Sequence, residues 1–62
     1  MIIVSSITES ADVQADGRRS VHEIHTDDAG NQYERTWMAE AGDDINAARE
    51  AYARRLETAS AK

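Results

Sequence analysis

From Ser20 to Ala41 strand-forming residues, branched and aromatic among them, flank Asp28-Ala29-Gly30, the pattern of a β-hairpin with strands over 18–27 and 31–39. A three-residue loop with glycine last suits a type I turn closed by a bulge, where the glycine takes the left-handed conformation. That turn places Glu23 opposite Arg35, Val21 opposite Trp37 and His25 opposite Tyr33. An opposite-charge pair and two aromatic pairs on one face favour this register. Ala15-Asp16-Gly17 repeats the same loop chemistry and predicts an earlier strand over 2–14. It sets Val13 against Arg19, Ala11 against Val21 and Ile7 against His25. Both turns then put Ile7, Ala11, Val13, Val21, Tyr33 and Trp37 on one face, an agreement that each turn alone does not give.

The other face carries Ser20, His22, Ile24, Thr36 and Met38, with Ile2 and Val4 from the first strand. That strand is apolar on both sides near its start, a pattern of strands covered on both faces. Ala41-Gly42 ends the third strand, and Asp43 is a good helix N-cap. Ile45, Ala48, Tyr52, Leu56 and Ala59 recur at helical spacing, predicting a helix over 44–58 whose stripe covers one sheet face. Asp44 in its first turn and Arg54, Arg55 and Lys62 towards its end match the helix dipole. The expected fold is α+β: a small antiparallel β-meander of two or three strands followed by one C-terminal helix packed on one face. It forms a single domain over 1–62, with sheet over 1–41, helix over 43–58 and a frayed tail over 59–62.

Composition sharpens this picture by what it lacks. Sixty-two residues with few large apolar side chains make a core of about 3–5 kcal/mol, which usually needs a staple. With no cysteine there is no disulfide and no thiolate metal site. Self-association or docking on a larger partner remains. The net charge of −5 disfavours nucleic acid and anionic membrane. Met1-Ile2-Ile3-Val4 is too short for a signal core, and no apolar run approaches the ~20 residues of a membrane span. The chain is expected to be soluble and made in the cytoplasm.

Candidate chemistry is thin. His22 and His25 stand three apart on a strand and point to opposite faces, so they cannot share a metal without a bulge. Asp27-Asp28-Ala29-Gly30-Asn31 has its acids on neighbouring positions, which fits an Asx turn better than a calcium loop. Ser5, Ser6, Ser10 and Ser20 lie on strands, and three strands with one helix enclose little volume for a nucleophile's substrate. Glu9 and Glu23 could face each other, but Arg35 beside them reads as charge compensation. Arg18 and Arg19, opening the second strand, read as solvated or edge positions. Trp37 reads as the centre of the core. No catalytic residue, cofactor site, metal site or small-molecule site is expected.

The run Asp16-Gly17-Arg18-Arg19-Ser20-Val21-His22-Glu23-Ile24-His25-Thr26-Asp27 resembles short proteins encoded among the structural genes of tailed bacteriophages. So do Tyr33-Glu34-Arg35, Met38-Ala39-Glu40-Ala41 and the alanine-rich helix. The resemblance spans residues 16 to about 56 and implies a virion component docking in many copies on a larger protein. It assigns no ligand or catalytic residue. The expected function is a non-enzymatic structural or adaptor protein of a phage virion, made in the host cytoplasm, with a homo-oligomer or a virion protein as partner. The alternative is a small acidic inhibitor of a host or competitor protein. If the helix covers the face with Val21 and Trp37, the side chains of Ile2, Val4, Ile24 and Met38 have no cover within the chain and form the expected partner-binding surface.

Overall fold

The structure, a computed structural model, describes residues 1–60, with Ser60 by its backbone only. Three strands, β1 (Ile3–Val13), β2 (Arg19–Asp27) and β3 (Gln32–Ala39), are followed by helix α1 (Ile45–Ser60). The strands form one antiparallel sheet in the order β1-β2-β3. The fold class is the one expected, a meander with a C-terminal helix on one face.

Both hairpins close in the same way. Gly17 N–H donates to the Gln14 carbonyl and Gln14 N–H to the Arg18 carbonyl; Gly30 and Asp27 repeat this with Asp27 and Asn31. Gly17 and Gly30 sit at φ of 90° and 89°, the left-handed region that a side chain makes costly. The second register is the predicted one throughout, with Val21 opposite Trp37, Glu23 opposite Arg35 and His25 opposite Tyr33.

The first register departs from expectation midway along β1. Val13 faces Arg19 and Ala11 faces Val21, but Ile7 faces Ile24, and Ser6 takes the place opposite His25. The register shifts between Thr8 and Ser10, and again between Ile3 and Ser5. Each shift adds a residue to β1, and an odd offset turns the strand over. Ile3, Ser6 and Thr8 therefore share the face of Val21, while Ile7 moves to the opposite face and is half exposed. Thr8, not Glu9, stands opposite Glu23, and Glu9 is exposed at the bulge. The physical reason lies under the helix. Ser6 Oγ is 2.8 Å from His25 Nδ1, and Thr8 Oγ1 accepts from Arg49 at 2.9 Å. Isoleucine in place of Ser6 would leave the buried His25 Nδ1 unpaired, which costs about 1–3 kcal/mol, and in place of Thr8 it would remove one acceptor of Arg49.

Helix α1 lies along β1, antiparallel to it. Arg49 meets Thr8, and the Glu57 carboxylate accepts the Ile3 backbone N–H at 2.7 Å. Its most buried residue is Ala53, a small residue that allows close approach, and Arg49 and Glu57 join Ile45, Ala48, Tyr52 and Leu56 as its partly buried residues. Ala59, expected in the stripe, is exposed. The N-cap is Asp44 rather than Asp43, since Asp44 Oδ1 accepts the Ala47 N–H at 3.0 Å. Asp43 instead closes the preceding turn by accepting the Glu40 N–H at 2.8 Å. Asp44 meets the helix dipole as the cap rather than from within the first turn, while no basic residue lies in the last described turn and Lys62 lies outside the described residues. Of the predicted tail, 59–60 continue the helix, and 61–62 lie outside the described residues. Arg19, expected to be solvated or at an edge, is half buried and ties the β3–α1 loop to β2 through the carbonyl of Asp43 at 2.9 Å.

Candidate docking surface

The two faces of the sheet differ in chemistry. On the helix side, β2 presents Val21, Glu23, His25 and Asp27, all buried, and three of these four are polar. Trp37 Nε1–H donates to Glu23 Oε2 at 2.6 Å, and His25 Nε2 stands 3.0 Å from Glu23 Oε1. Arg35 Nε lies 3.7 Å from the same Oε1 and stacks over the rings of Trp37 and Tyr52, 4.8 and 4.3 Å from their centroids. Tyr52 in turn covers His25, with ring centroids 5.1 Å apart. Ser6 Oγ and Glu23 Oε1 stand within hydrogen-bond distance of Nδ1 and Nε2, so both ring nitrogens of His25 are satisfied.

Serine, imidazole and carboxylate stand here in the order of a nucleophilic triad. Acyl transfer also needs an oxyanion site and room for a substrate beside the nucleophile. His25 and Glu23 are fully buried, Tyr52 lies over the ring, and no pocket opens among the described residues. The cluster reads as a polar core in which each member satisfies another. Trp37 is only half buried, so it forms the open side of this core rather than its centre. Sequence reasoning found the Glu23–Arg35 pair but missed Ser6 and Tyr52. The signal available for Tyr52 was its place in the helical stripe.

Asp27 organises the second turn. Its Oδ1 accepts the N–H groups of Ala29 and Asn31 at 2.9 and 2.8 Å, and its Oδ2 accepts the Tyr33 hydroxyl at 2.8 Å. Burial pushes the Asp27 carboxyl up, but hydrogen bonds from Tyr33, Asn31 and Ala29 outweigh it and hold the pKa below the ordinary value. The same bond to Asp27, with burial and the carboxylate charge, raises the Tyr33 hydroxyl. Asp27 thus favours folding above the usual aspartate pKa of about 3.9, and that contribution is lost as pH falls through the depressed folded value. Tyr33 contributes below about pH 10 and loses its contribution as pH rises through its raised folded value. Denaturation midpoints should be highest between these limits, and Asp27→Asn should make both limbs shallower. An acid limb in Asp27→Asn as steep as in the wild type would remove Asp27 as its source.

On the outer face, β2 carries Ser20, His22, Ile24 and Thr26 against Asp12, Ser10, Ile7 and Ser5 of β1. Their β3 neighbours are Met38, Thr36, Glu34 and Gln32. No described element covers this face. His22 pairs with Glu34 at 2.8 Å, on the side opposite His25, so the two histidines diverge as their spacing requires. No group of three metal-ligating side chains comes together among the described residues. Ile24 is half buried beside Ile7, a residue that sequence reasoning had placed on the other face. Met38 stands four residues along β3 from Glu34, the neighbour of Ile24, about 14 Å away at strand rise. Ile2 and Val4, 60% and 63% exposed, lie at the start of β1. Of the expected surface of Ile2, Val4, Ile24 and Met38, Ile24 joins Ile7 in one apolar spot and Met38 makes a second, with Ser, Thr and His between them, while Ile2 and Val4 stand exposed near the end of the sheet.

Comparison with protein-family models, with curated proteins and with solved structures found no match. No helix among the described residues is long and apolar enough to cross a membrane.

Proposed function

We propose that this chain is a non-enzymatic structural or adaptor protein that docks through the outer sheet face on a larger protein, and that the larger protein belongs to a phage particle. One observation carries the docking reading. Of the described large aliphatic side chains only Ile3 and Val21 are buried, whereas Ile7 and Met38 on the outer face and Met1, Ile2 and Val4 at the N-terminal end of the sheet are all more than a third exposed. Burying a large apolar side chain is worth ~1.5–3 kcal/mol, so covering Ile2, Val4 and Ile7 would rival the stability of the isolated domain. The partner this face fits has few charges and offers hydrogen-bonding groups beside apolar ones, because the face itself presents mainly Ser, Thr and aliphatic groups. The phage assignment rests on the resemblance of residues 16 to about 56.

Two measurements test it. The protein should co-purify with particles of the encoding phage at fixed stoichiometry; recovery only as free protein from infected cells would instead support the inhibitor reading. Ile7→Glu should keep the circular dichroism spectrum of the wild type and lose particle incorporation, since an unpaired carboxylate is expensive to bury. Normal incorporation of a folded Ile7→Glu protein would move the contact off this face.

A further inference from the structure

The two edges of the sheet are not equivalent. β1 carries both register shifts, and bulged strands make poor templates for a further strand. β3 runs eight residues against β2 without a shift and contains no proline or lysine. Along its outer edge alternate N–H and C=O groups point away from β2, and no hydrogen bond among the described residues reaches them apart from the ladder itself. The helix lies along β1, leaving Tyr33, Arg35 and Trp37 of β3 incompletely buried on the inner side.

We infer that β3 is a self-association edge: a second copy of this chain adds its own β3 antiparallel to the first, joining two meanders into one six-stranded sheet. Register follows from side-chain chemistry. Pairs must have an even residue sum to keep both helices on the same side. A two-fold axis at Thr36 sets Thr36 against Thr36 of the second copy, Arg35 against its Trp37, Glu34 against its Met38 and Tyr33 against its Ala39. No like charges meet directly, and the arginine–tryptophan pairs add cation–π contacts. Moving the axis to Arg35 opposes two arginines, and moving it to Glu34 opposes two glutamates. In the Thr36 register Tyr33, Arg35 and Trp37 of both copies converge between the two helices, covering the open side of the polar core. This contact uses the edge, not the outer face, so it stands apart from docking on a larger protein.

The chain has no cysteine, which makes a single introduced one informative. Light scattering should give twice the chain mass at tens of micromolar. Thr36→Cys should oxidise to a covalent dimer at least tenfold faster than Ser10→Cys on the bulged strand. Thr36→Lys, which sets two ammonium groups at the axis of an exposed position, should lower the mass to one chain with an unchanged circular dichroism spectrum. A monomeric mass for the wild type up to millimolar concentration would overturn the inference, as would equal cross-linking at Thr36 and Ser10. Ile7→Glu should leave this dimer intact, so loss of particle docking and loss of the dimer are separable results.

Discussion

Glu23→Ala is expected to leave the chain unfolded at 25 °C. The carboxylate is fully buried and meets the indole N–H of Trp37, the imidazole of His25 and the guanidinium of Arg35. Removing one partner from a buried ionic cluster typically costs about 3–5 kcal/mol, because the remaining groups stay desolvated without a counterpart. A core of this size supplies about that much in total. Glu23→Gln keeps the shape and an acceptor for Trp37 but leaves Arg35 uncompensated, so it should melt between the wild type and the alanine variant. Thermal melts followed by circular dichroism decide the matter. A Glu23→Ala protein melting like the wild type would mean that water already solvates the carboxylate.

Trp37→Ala should have the next largest effect, roughly 3–5 kcal/mol. Half burial reduces the usual cost of truncating a packed aromatic ring. Loss of the indole N–H adds about 1–3 kcal/mol, because Glu23 Oε2 then lacks its donor. Trp37→Phe separates the two parts: it keeps most of the ring contact with Arg35 and loses only the hydrogen bond. If Trp37→Ala melts normally but no longer associates, Trp37 is a surface anchor and not part of the fold's support.

These two residues also show where sequence reading reaches its limit. The pairing of Glu23 with Arg35 and of Val21 with Trp37 was legible because Gly30 sets the turn and the turn sets the register. That Glu23 would be fully buried was not, since an ion pair on a strand usually lies in water. The difference comes from α1, whose Tyr52 closes over His25 and Arg35. On the outer face, Ile24 and Met38 were placed correctly by strand parity, but their separation into two spots depends on pairing along the ladder. Ile7 was misplaced because a bulge has no local signature in Ser5-Ser6-Ile7-Thr8-Glu9-Ser10.

The sequence by itself determined the elements that local chemistry controls. Gly17 and Gly30 place the two turns, alternation carries the strands between them, and the stripe around Tyr52 with an aspartate cap starts a helix after Gly42. Only the tertiary structure decided what fills the space between helix and sheet. There the second ring nitrogen of His25 and the Arg49 guanidinium take partners from β1, which gains a residue between Thr8 and Ser10 and turns Ser6 and Thr8 inward, giving up the burial of Ile7. Turns are local and strong enough to act alone, whereas the inward choice of β1 depends on groups up to 41 residues away in the chain, Arg49 beside Thr8 among them.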